Sequence, residues 1–386
     1  MEDVKKVVKK YLYFESGQDQ IIDIILATVI ANKIGGDPVW MLIIGPPSSA
    51  KTELLRGLHG LDVVHFLSTV TPSTFISGMK TEKKEVEPSL LPKLDGKVLV
   101  IKDFTSILST RSENRQEILA QLREIHDGSI SKAFGTGKQF EWEGKLGLLG
   151  ACAPVYDKHY RVIATMGDRF MLARINNSDP IKTGEKARAN VGREKEMRDE
   201  IAYIFKRFLD QFRKTNLINP TIDDDYLNKI ISLASFCAYS RCQVERDYKT
   251  RQPEYLPQPE GTGRLMKQFI QIGMGLTLTQ GKISIDGKVF CVLKKIAMDL
   301  VSVQRLMALE FLFRNYGQIC NSEPFGRGEI AENVGIPQST LRFILEDLMS
   351  VGLVEYTTDA TVYASGQWAL SEMGFKLIQE AEIFDE

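Results

Sequence analysis

Cysteine and histidine are scarce in this sequence and never have the spacing of metal ligands. The 386 residues include five cysteines and four histidines, and no two cysteines form a C-x-x-C pair. The cysteines are scattered along the chain as Cys152, Cys237, Cys242, Cys291 and Cys320. This usage is typical of a reducing compartment and argues against a disulfide framework and a zinc site. We therefore expect a cytoplasmic protein.

Long apolar runs and an excess of charge of one sign are also lacking. No apolar run approaches the roughly 18 residues of a membrane span, and the segment from Met1 to Lys6 is too charged for a secretory signal. The net charge is −1, from 49 lysines and arginines against 50 aspartates and glutamates. Any contact with nucleic acid therefore has to be local. The apolar fraction of 43% is that of a globular protein. The chain is long enough for two or three domains.

The sequence does contain a strand-loop-helix pattern of the kind that binds nucleotide phosphates. Val39 to Ile44 is an apolar run with the length of a buried parallel strand, and a helical pattern begins at Thr52. Gly45 permits a tight turn that directs backbone N–H groups inward, next to the positive end of a helix. Lys51 is expected to reach the β- and γ-phosphates of ATP, and the Thr52 hydroxyl to ligate Mg²⁺. Ala50 stands where the usual pattern has a second glycine.

The predicted nucleotide-binding residues form one continuous segment. They are Gly45, Pro46, Pro47, Ser48, Ser49, Ala50, Lys51, Thr52 and Glu53. An ordinary strand-to-helix turn with an incidental lysine is the competing interpretation. The directly adjoining strand and helix favour the phosphate-binding one, with ATP and Mg²⁺ as cofactors.

A second buried strand is predicted over 97–104, with an apolar run from Val98 to Ile101 and an acidic residue, Asp103, at its carboxyl end. A carboxylate at the end of such a strand can hold Mg²⁺ or orient an attacking water. Strands alternate with helical patterns, which predicts an α/β core: a parallel sheet with helices on both faces. We expect this core with its lead-in helices over 1–195, a helical lid over 196–303 and a winged helix-turn-helix over 304–386.

A hairpin is predicted between the core strands. Ser129 to Phe134 and Gln139 to Glu143 both alternate apolar and polar residues around a glycine-rich turn. Lys138 in the turn and Lys132 nearby are candidate contacts to DNA phosphates. A solvated turn is the alternative for Lys138.

Predictions are made for three other segments, and alternatives stay open for two of them. A short N-terminal helix is predicted to carry four lysines: Lys5, Lys6, Lys9 and Lys10. They are interpreted either as a basic contact with DNA or a neighbour, or as a solvated face. The charged stretch 178–198 is predicted to be a hinge. In the C-terminal domain, a turn at 334–337 joins two helices, and strands at 352–356 and 361–364 form the wing. Its second helix carries acidic residues, so contact with a replication partner competes with reading DNA bases.

The order of these parts resembles an AAA+ ATPase, and more narrowly the motor of the minichromosome maintenance (MCM) replicative helicases and their relatives on phages and mobile elements. In that family an alanine also tends to precede Lys-Ser/Thr, as Ala50 precedes Lys51. The segment 75–87, expected to be exposed, lies where the family inserts a helix-2 loop. The hairpin at 130–142 lies where it has the pre-sensor hairpin, whose lysine tip tracks DNA in a hexamer channel. The likeness covers residues 20–386.

Two arginines receive roles from this resemblance. The motif Gly167-Asp168-Arg169-Phe170 resembles the arginine finger that completes the ATP site of a neighbouring subunit. The motif Thr262-Gly263-Arg264-Leu265 resembles the sensor arginine that opens a lid helix. The resemblance thus implies a homo-oligomer, a hexamer, with Lys51, Asp103, Arg169 and Arg264 at the catalytic site. A surface ion pair is the competing interpretation of Arg169, as it is of Arg174.

The sequence departs from the family at two positions. The family strand ends Asp-Glu-Phe, whereas this one ends Lys102-Asp103-Phe104. Asp103 therefore either activates water or is the metal-site carboxylate displaced by one residue. The second departure is Cys152 in Ala151-Cys152-Ala153-Pro154, where the family has an asparagine before the proline. Both changes make ATP binding a safer expectation than fast hydrolysis.

Three hypotheses follow. The leading one is an ATP-dependent DNA motor, an MCM-like hexameric helicase that translocates on single-stranded DNA. The second is an ATP-switched DNA-binding protein or helicase loader with slow hydrolysis, which the single acid favours. The third is a remodeller or chelatase of the same hairpin-bearing group, which the winged helix disfavours.

Overall fold

The protein is described by a computed structural model. It describes residues 1–77, 89–135, 137, 139–165, 169–176, 179–212, 217, 219–316, 325–357 and 366–385. No helix in these ranges is both long enough and apolar enough to cross a membrane.

By its internal packing the chain divides into two compact units, and each is described by itself. The first unit consists of residues 1–221 and 271–289, and the second of residues 222–270 and 290–386. The expected domains, 1–195, 196–303 and 304–386, do not coincide with these units and stay a prediction.

The first unit contains two sheets and the helices that surround them. Its strands are β1 (Trp40–Ile44), β2 (Val64–Leu67), β3 (Val98–Ile101), β4 (Ser129–Ala133), β5 (Gln139–Glu143), β6 (Gly147–Cys152) and β7 (Phe170–Arg174). Its helices are α1 (Glu2–Tyr11), α2 (Gln20–Ala31), α3 (Lys51–Arg56), α4 (Thr105–Leu108), α5 (Ser112–His126), α6 (Tyr156–Thr165), α7 (Pro180–Ala189) and α8 (Glu194–Asp210), with a 3₁₀ turn at Leu91–Leu94.

Five of these strands form one sheet in the order β2-β3-β6-β1-β7, and every neighbouring pair is parallel. The predicted α/β class with a parallel sheet is therefore confirmed. All residues of β1, β3 and β6 are buried, as expected for strands covered on both faces. The last residue of β1, Ile44, lies opposite Cys152 of β6 and Arg174 of β7. The carboxyl ends of these strands therefore meet at one edge of the sheet.

Helix α2 is the buried helix of this unit. Eleven consecutive residues, Ile21 to Ala31, are buried, and the helix packs against β1, β6 and β7, in agreement with its apolar sequence. Asn32, directly after the helix, joins it to the start of β1. Its Nδ2 donates to the carbonyls of Thr28 (2.9 Å) and Val39 (3.0 Å), and its Oδ1 accepts from the N–H of Val39 (2.9 Å). One amide side chain thus fixes where α2 and β1 meet.

The predicted hairpin is confirmed, because β4 and β5 pair antiparallel from Ser129 opposite Glu143 to Ala133 opposite Gln139. The proposed DNA contact Lys138 lies outside the described residues. So do residues 78–87 of the expected exposed insertion, whereas Phe75 and Ile76 at its start are buried.

The structure narrows two expectations for the first unit. The described part of the stretch 178–198 contains α7 and the start of α8, so a hinge there would have to lie at 190–193 between the two helices and stays a prediction. Three of the four lysines of α1, Lys6, Lys9 and Lys10, are exposed, which agrees with a solvated face, whereas contact with DNA or a neighbour stays a prediction. Lys5 and Lys9 form ion pairs with Asp19, and Lys10 forms one with Glu200. These acidic partners partly neutralise the basic charge of α1. The order of charges along the sequence does not reveal such pairs.

The second unit is mainly helical. Its elements, with α10 and α11 crossing the division between the units, are α9 (Asp224–Ser240), α10 (Thr262–Thr279), α11 (Gly287–Leu300), α12 (Val303–Arg314), β8 (Phe325–Gly326), α13 (Arg327–Val334), α14 (Gln338–Ser350), β9 (Val354–Thr357), β10 (Gln367–Leu370) and α15 (Glu372–Glu380). Helices α12, α13 and α14 pack on one another, and the strands form an antiparallel sheet in the order β8-β10-β9. The strand predicted at 361–364 lies outside the described residues, and the strand that pairs with β9 is Gln367–Leu370.

The Asn32 contacts give a stability prediction. Asn32→Ala leaves the buried N–H and C=O of Val39 without these partners, so we expect a loss of about 2–4 kcal/mol in the free energy of unfolding. Urea denaturation followed by circular dichroism measures it. The matched control is Asn114→Ala at an exposed position of α5, expected to change stability by less than about 0.5 kcal/mol. Equal effects of the two substitutions would contradict this role of Asn32.

Candidate functional site

The loop between β1 and α3 encloses the side chain of Lys51. The Lys51 ammonium donates to the carbonyls of Gly45 and Pro46 (both 2.6 Å) and to the Ser49 hydroxyl (3.0 Å). Three oxygen acceptors therefore hold the positive charge at the carboxyl edge of the sheet. Phosphate oxygens are acceptors of the same kind, so the ammonium has the position and the environment to bind them.

The backbone of this loop takes two unusual turns. Ser48 and Ala50 have φ values of 64° and 67°, in the left-handed region that non-glycine residues seldom adopt. Alternation of left- and right-handed residues directs successive N–H groups to one side, as in anion-binding nests. Helix α3 follows with Ala50 as its N-cap and no capping side chain. The strain and the uncapped helix start are both features of an anion-binding loop.

Gly45 is required by close packing at the start of the loop. A Cβ at this position would lie 2.8 Å from the Ser49 Oγ and 3.0 Å from the carbonyl oxygen of Ile175. The Gly45 N–H donates to the carbonyl of Cys152 (3.2 Å), which extends the pairing of β1 with β6 by one residue. The loop is thus attached to both neighbouring strands at the point where it begins.

Electrostatics link Lys51 to the predicted acid. Burial lowers the pKa of the Lys51 ammonium, and the nearby Cys152 and Asp103 oppose that shift. Asp103 follows β3 at the same carboxyl edge, and its Oδ1 accepts from the N–H of Thr105 (3.0 Å). The structure therefore brings Lys51 and Asp103 to one edge, as the sequence predicted.

Thr105 is a residue of this edge that the sequence analysis missed. Its hydroxyl accepts from the N–H of Ala153 (3.0 Å) and donates to the Sγ of Cys152 (3.7 Å), while its own N–H holds Asp103. One threonine thus connects the ends of β3 and β6. Burial raises the pKa of the Cys152 thiol to about 11, so this side chain is neutral at physiological pH. A hydroxyl two residues after an aspartate at a strand end was the available signal.

A cavity of about 230 Å³ lies beside the loop. Its walls are the segment 11–13, the loop residues 48–53, and one face of α7 with Thr183, Lys186, Ala187 and Asn190. The Lys186 ammonium donates to the carbonyls of Lys9 (2.8 Å) and Lys10 (3.0 Å). These bonds attach α7 to the end of α1, and so shape the cavity. The sequence analysis missed the walls formed by 11–13 and by α7, since it predicts a hinge where α7 lies.

Glu53 shapes the helix that follows the loop. Its carboxylate pairs with Arg56 (2.5 Å) on the same helix and with Arg198 (2.8 and 3.0 Å) on α8. Burial raises the pKa of Glu53, but the guanidinium groups of Arg198 and Arg56 outweigh burial and hold the pKa below its usual range. Glu53 is therefore an anchor of α3 that also lines the cavity.

The predicted metal ligands, Thr52 and Asp103, are one hydroxyl and one carboxylate. Within the described ranges, no group of three or more histidine, cysteine or acidic residues could hold a metal ion. Mg²⁺ commonly takes one or two protein ligands and completes its shell with water and substrate phosphates. The donor set therefore fits a Mg²⁺ that arrives with a nucleotide, and does not fit a permanent metal site.

Arg169 lies at the opposite edge of the sheet from Lys51. It precedes β7, whose first residue, Phe170, pairs with Trp40 at the start of β1. Its guanidinium binds Asp127 through two contacts, Nε to Oδ1 at 3.0 Å and Nη2 to Oδ2 at 2.9 Å. This ion pair holds the pKa of Asp127 below its usual range.

The competing ion-pair interpretation thus holds for Arg169 within one chain, and Arg174 likewise pairs with Asp157 (2.7 Å). The residues Gly167 and Asp168 of the predicted finger motif lie outside the described residues.

The remaining predicted residues also have acidic partners. Arg264 lies in the second unit and pairs with Glu260 at 2.5 Å. Lys132 on β4 pairs with Glu117 of α5 at 3.1 Å. The structure therefore joins Lys51, Thr52 and Asp103 at one edge, while Arg169 is separate from them within the chain.

Comparison with known proteins adds no assignment. No protein-family model matches the chain, and no curated protein is significantly similar to it.

The Asp127–Arg169 pair gives a pH prediction. The folded pKa of Asp127 lies below its unfolded value, so the pair stabilises the fold above about pH 4 and loses this effect as pH falls through the folded pKa. Asp127→Asn should lower stability at pH 7 by about 0.2–1 kcal/mol, because the carboxylate is half exposed. The difference from the unsubstituted protein should diminish as the pH is lowered from 7 to about 3. Urea denaturation at both pH values measures it, and a difference that persists undiminished at low pH would contradict the ion-pair origin.

Proposed function

We propose that this protein is an ATP-dependent DNA motor of the MCM-like AAA+ type, acting as a ring on single-stranded DNA. The observation that carries the proposal is the position of the loop-enclosed ammonium of Lys51 at the carboxyl edge of a parallel sheet, with Asp103 at the same edge. The left-handed residues of the loop and the cavity beside it support nucleotide binding.

The strand order supports the same class. Counted along the chain, the five parallel strands have the spatial order 2-3-4-1-5, so the strand before the loop lies between the fourth and the fifth. The loop therefore begins next to the ends of β6 and β7, where other parts of the chain can reach a bound phosphate. In the proposed function, β6 supplies Cys152 at that point and β3 supplies Asp103.

In the proposed mechanism, the ammonium of Lys51 exchanges its loop acceptors for phosphate oxygens, and the loop N–H groups bind the same anion. Mg²⁺ contributes neutralisation of charge on the phosphates when it is bound. Thr52 and Asp103 would hold it, or Asp103 would orient water. Thr105 keeps the Asp103 carboxylate directed along the edge of the sheet through its N–H.

The position of Arg169 supports a ring. Five residues of β7, at roughly 3.3 Å each, put about 16 Å between its two ends, so Arg169 does not reach the loop of its own chain. An arginine at this edge can serve only the loop of another copy, through a head-to-tail contact. The proposal therefore places each ATP site between two subunits, with Arg169 released from Asp127 on assembly.

A second candidate function is an ATP-switched DNA-binding protein or helicase loader with slow hydrolysis. The observation that favours it is the end of β6. Cys152 is buried and neutral, and it bonds to Thr105 where a polar side chain would position water. The two candidates share ATP binding and differ in turnover.

Steady-state ATPase measurement separates the two candidates. The motor predicts strong stimulation by single-stranded DNA, with a fall of about 10²–10⁴-fold in Asp103→Asn, the size typical of a lost acid–base group. Lys51→Ala is the control that abolishes nucleotide binding. Tight binding with negligible turnover in both unsubstituted protein and Asp103→Asn would favour the switch. For Lys138→Ala, the motor predicts lost unwinding with intact ATP binding.

Mixing two inactive variants tests the ring. Lys51→Ala and Arg169→Ala should each be inactive alone, whereas equal mixtures should regain about one quarter of the activity, since about one interface in four carries both intact residues. Arg314→Ala, which removes an exposed arginine of the second unit that pairs with Glu310, serves as the arginine control. Absence of recovery in mixtures shown to co-assemble would rule out a contribution of Arg169 to a neighbour's site.

A further inference from the structure

The second unit contains a groove of about 660 Å³ between two helices and two strands. Helices α13 and α14 form one wall, and β9 and β10 the other. The side chains used in the argument below are Arg327, Gln338, Arg342, Met349, Tyr356 and Trp368, all of which line the groove.

One end of the groove is cationic. Arg327 is the first residue of α13, Gln338 the first of α14, and Arg342 lies one turn further along α14. Neither helix start has a capping side chain, so both present N–H groups and a positive dipole end. Among the described residues, the Nε of Arg327 is buried without a hydrogen-bond partner. An anion at this end would meet two guanidinium groups.

The carboxylate of Glu346, which also lines the groove, pairs with Arg342 but is shared with a second arginine. Its Oε1 accepts from the Nε of Arg342 (2.7 Å), and its Oε2 accepts from Arg246 (3.0 Å), which lies outside the groove. The neighbouring Asp347 pairs with Arg246 and Arg305. The two acidic residues of α14 thus share three arginines, Arg342, Arg246 and Arg305, so this cluster keeps a net positive charge.

The other end of the groove is aromatic and apolar. Tyr356 of β9 is 45% exposed, and its ring centroid lies 4.7 Å from that of Trp368, which is buried behind it. Met349 of α14 is 40% exposed on the facing wall. A Cβ on Gly366 would collide with the Tyr356 ring, so the ring position depends on that glycine. The groove therefore offers a supported aromatic surface next to a cationic end.

We infer that this groove binds single-stranded nucleic acid, with a phosphate at Arg327 and Arg342 and a base packed on Tyr356. A single strand presents an anion and an exposed planar ring in every nucleotide, which matches the two ends of the groove. Duplex DNA keeps its base faces stacked and leaves the tyrosine without a partner. An acidic peptide matches only the cationic end. The inference does not depend on ATP binding or hydrolysis.

The test measures binding of a fluorescein-labelled oligo-dT of about 20 nucleotides to the full-length protein without ATP. Tyr356→Ala should weaken binding about 5- to 100-fold, the effect of one lost stacked base, and Tyr356→Phe should restore it. Arg327→Ala should weaken binding and lower the salt slope by about 1. The matched controls, Tyr248→Ala and Arg314→Ala, remove exposed residues outside the groove and should leave affinity unchanged.

Two further measurements make the result decisive. Oligo-dT containing 5-iododeoxyuridine should crosslink to Tyr356 or Met349, mapped by mass spectrometry. Thermal unfolding establishes that each variant is folded. Unchanged oligo-dT affinity in folded Tyr356→Ala and Arg327→Ala would overturn the inference. It would also be overturned if these variants lost only affinity for a polyglutamate peptide, or only self-association in sedimentation. If the groove binds oligo-dT but single-stranded DNA does not stimulate the ATPase, the result counts against the proposed motor and leaves the groove inference intact.

Discussion

The parallel pairing of β1 with β6 and β7 is the constraint on which the candidate nucleotide site depends. Because Ile44 lies opposite Cys152 and Arg174, the loop after β1 begins between two other strand ends. Gly45 continues the pairing to β6, and its missing Cβ lets the chain turn against Ile175. Only then can the Lys51 ammonium fold back onto the carbonyls of its own loop. The site is therefore an extension of the sheet.

The same sheet separates groups that the proposed chemistry requires together. Arg169 precedes β7 and lies at the amino edge, whereas Lys51 and Asp103 lie at the carboxyl edge. A covalent chain cannot bring both ends of one strand to the same place. Assembly of copies, which we propose, is the physical route by which a strand end from one subunit can serve the opposite edge of another.

Ion pairs between distant segments recur in both units and change how charge is interpreted. Lys10 pairs with Glu200, Lys132 with Glu117, and Arg246 with Glu346 and Asp347. The basic N-terminal helix is thus less cationic than it looks in sequence, and α14 is less acidic. Because these ion pairs neutralise lysines of α1 and carboxylates of α14, we place the second nucleic-acid contact in the groove at Tyr356 and not on α1.

The sequence by itself determined the parallel sheet, the hairpin of β4 and β5, and the meeting of Lys51 with Asp103. These follow from local patterns: apolar runs, alternation around a glycine turn, and a loop placed directly between a strand and a helix. Tertiary structure alone decided the role of Thr105, the α7 wall of the cavity and the partner of Arg169. Each of these depends on which side chains from separate segments come within about 3 Å, the range of a hydrogen bond, and no local pattern encodes that distance.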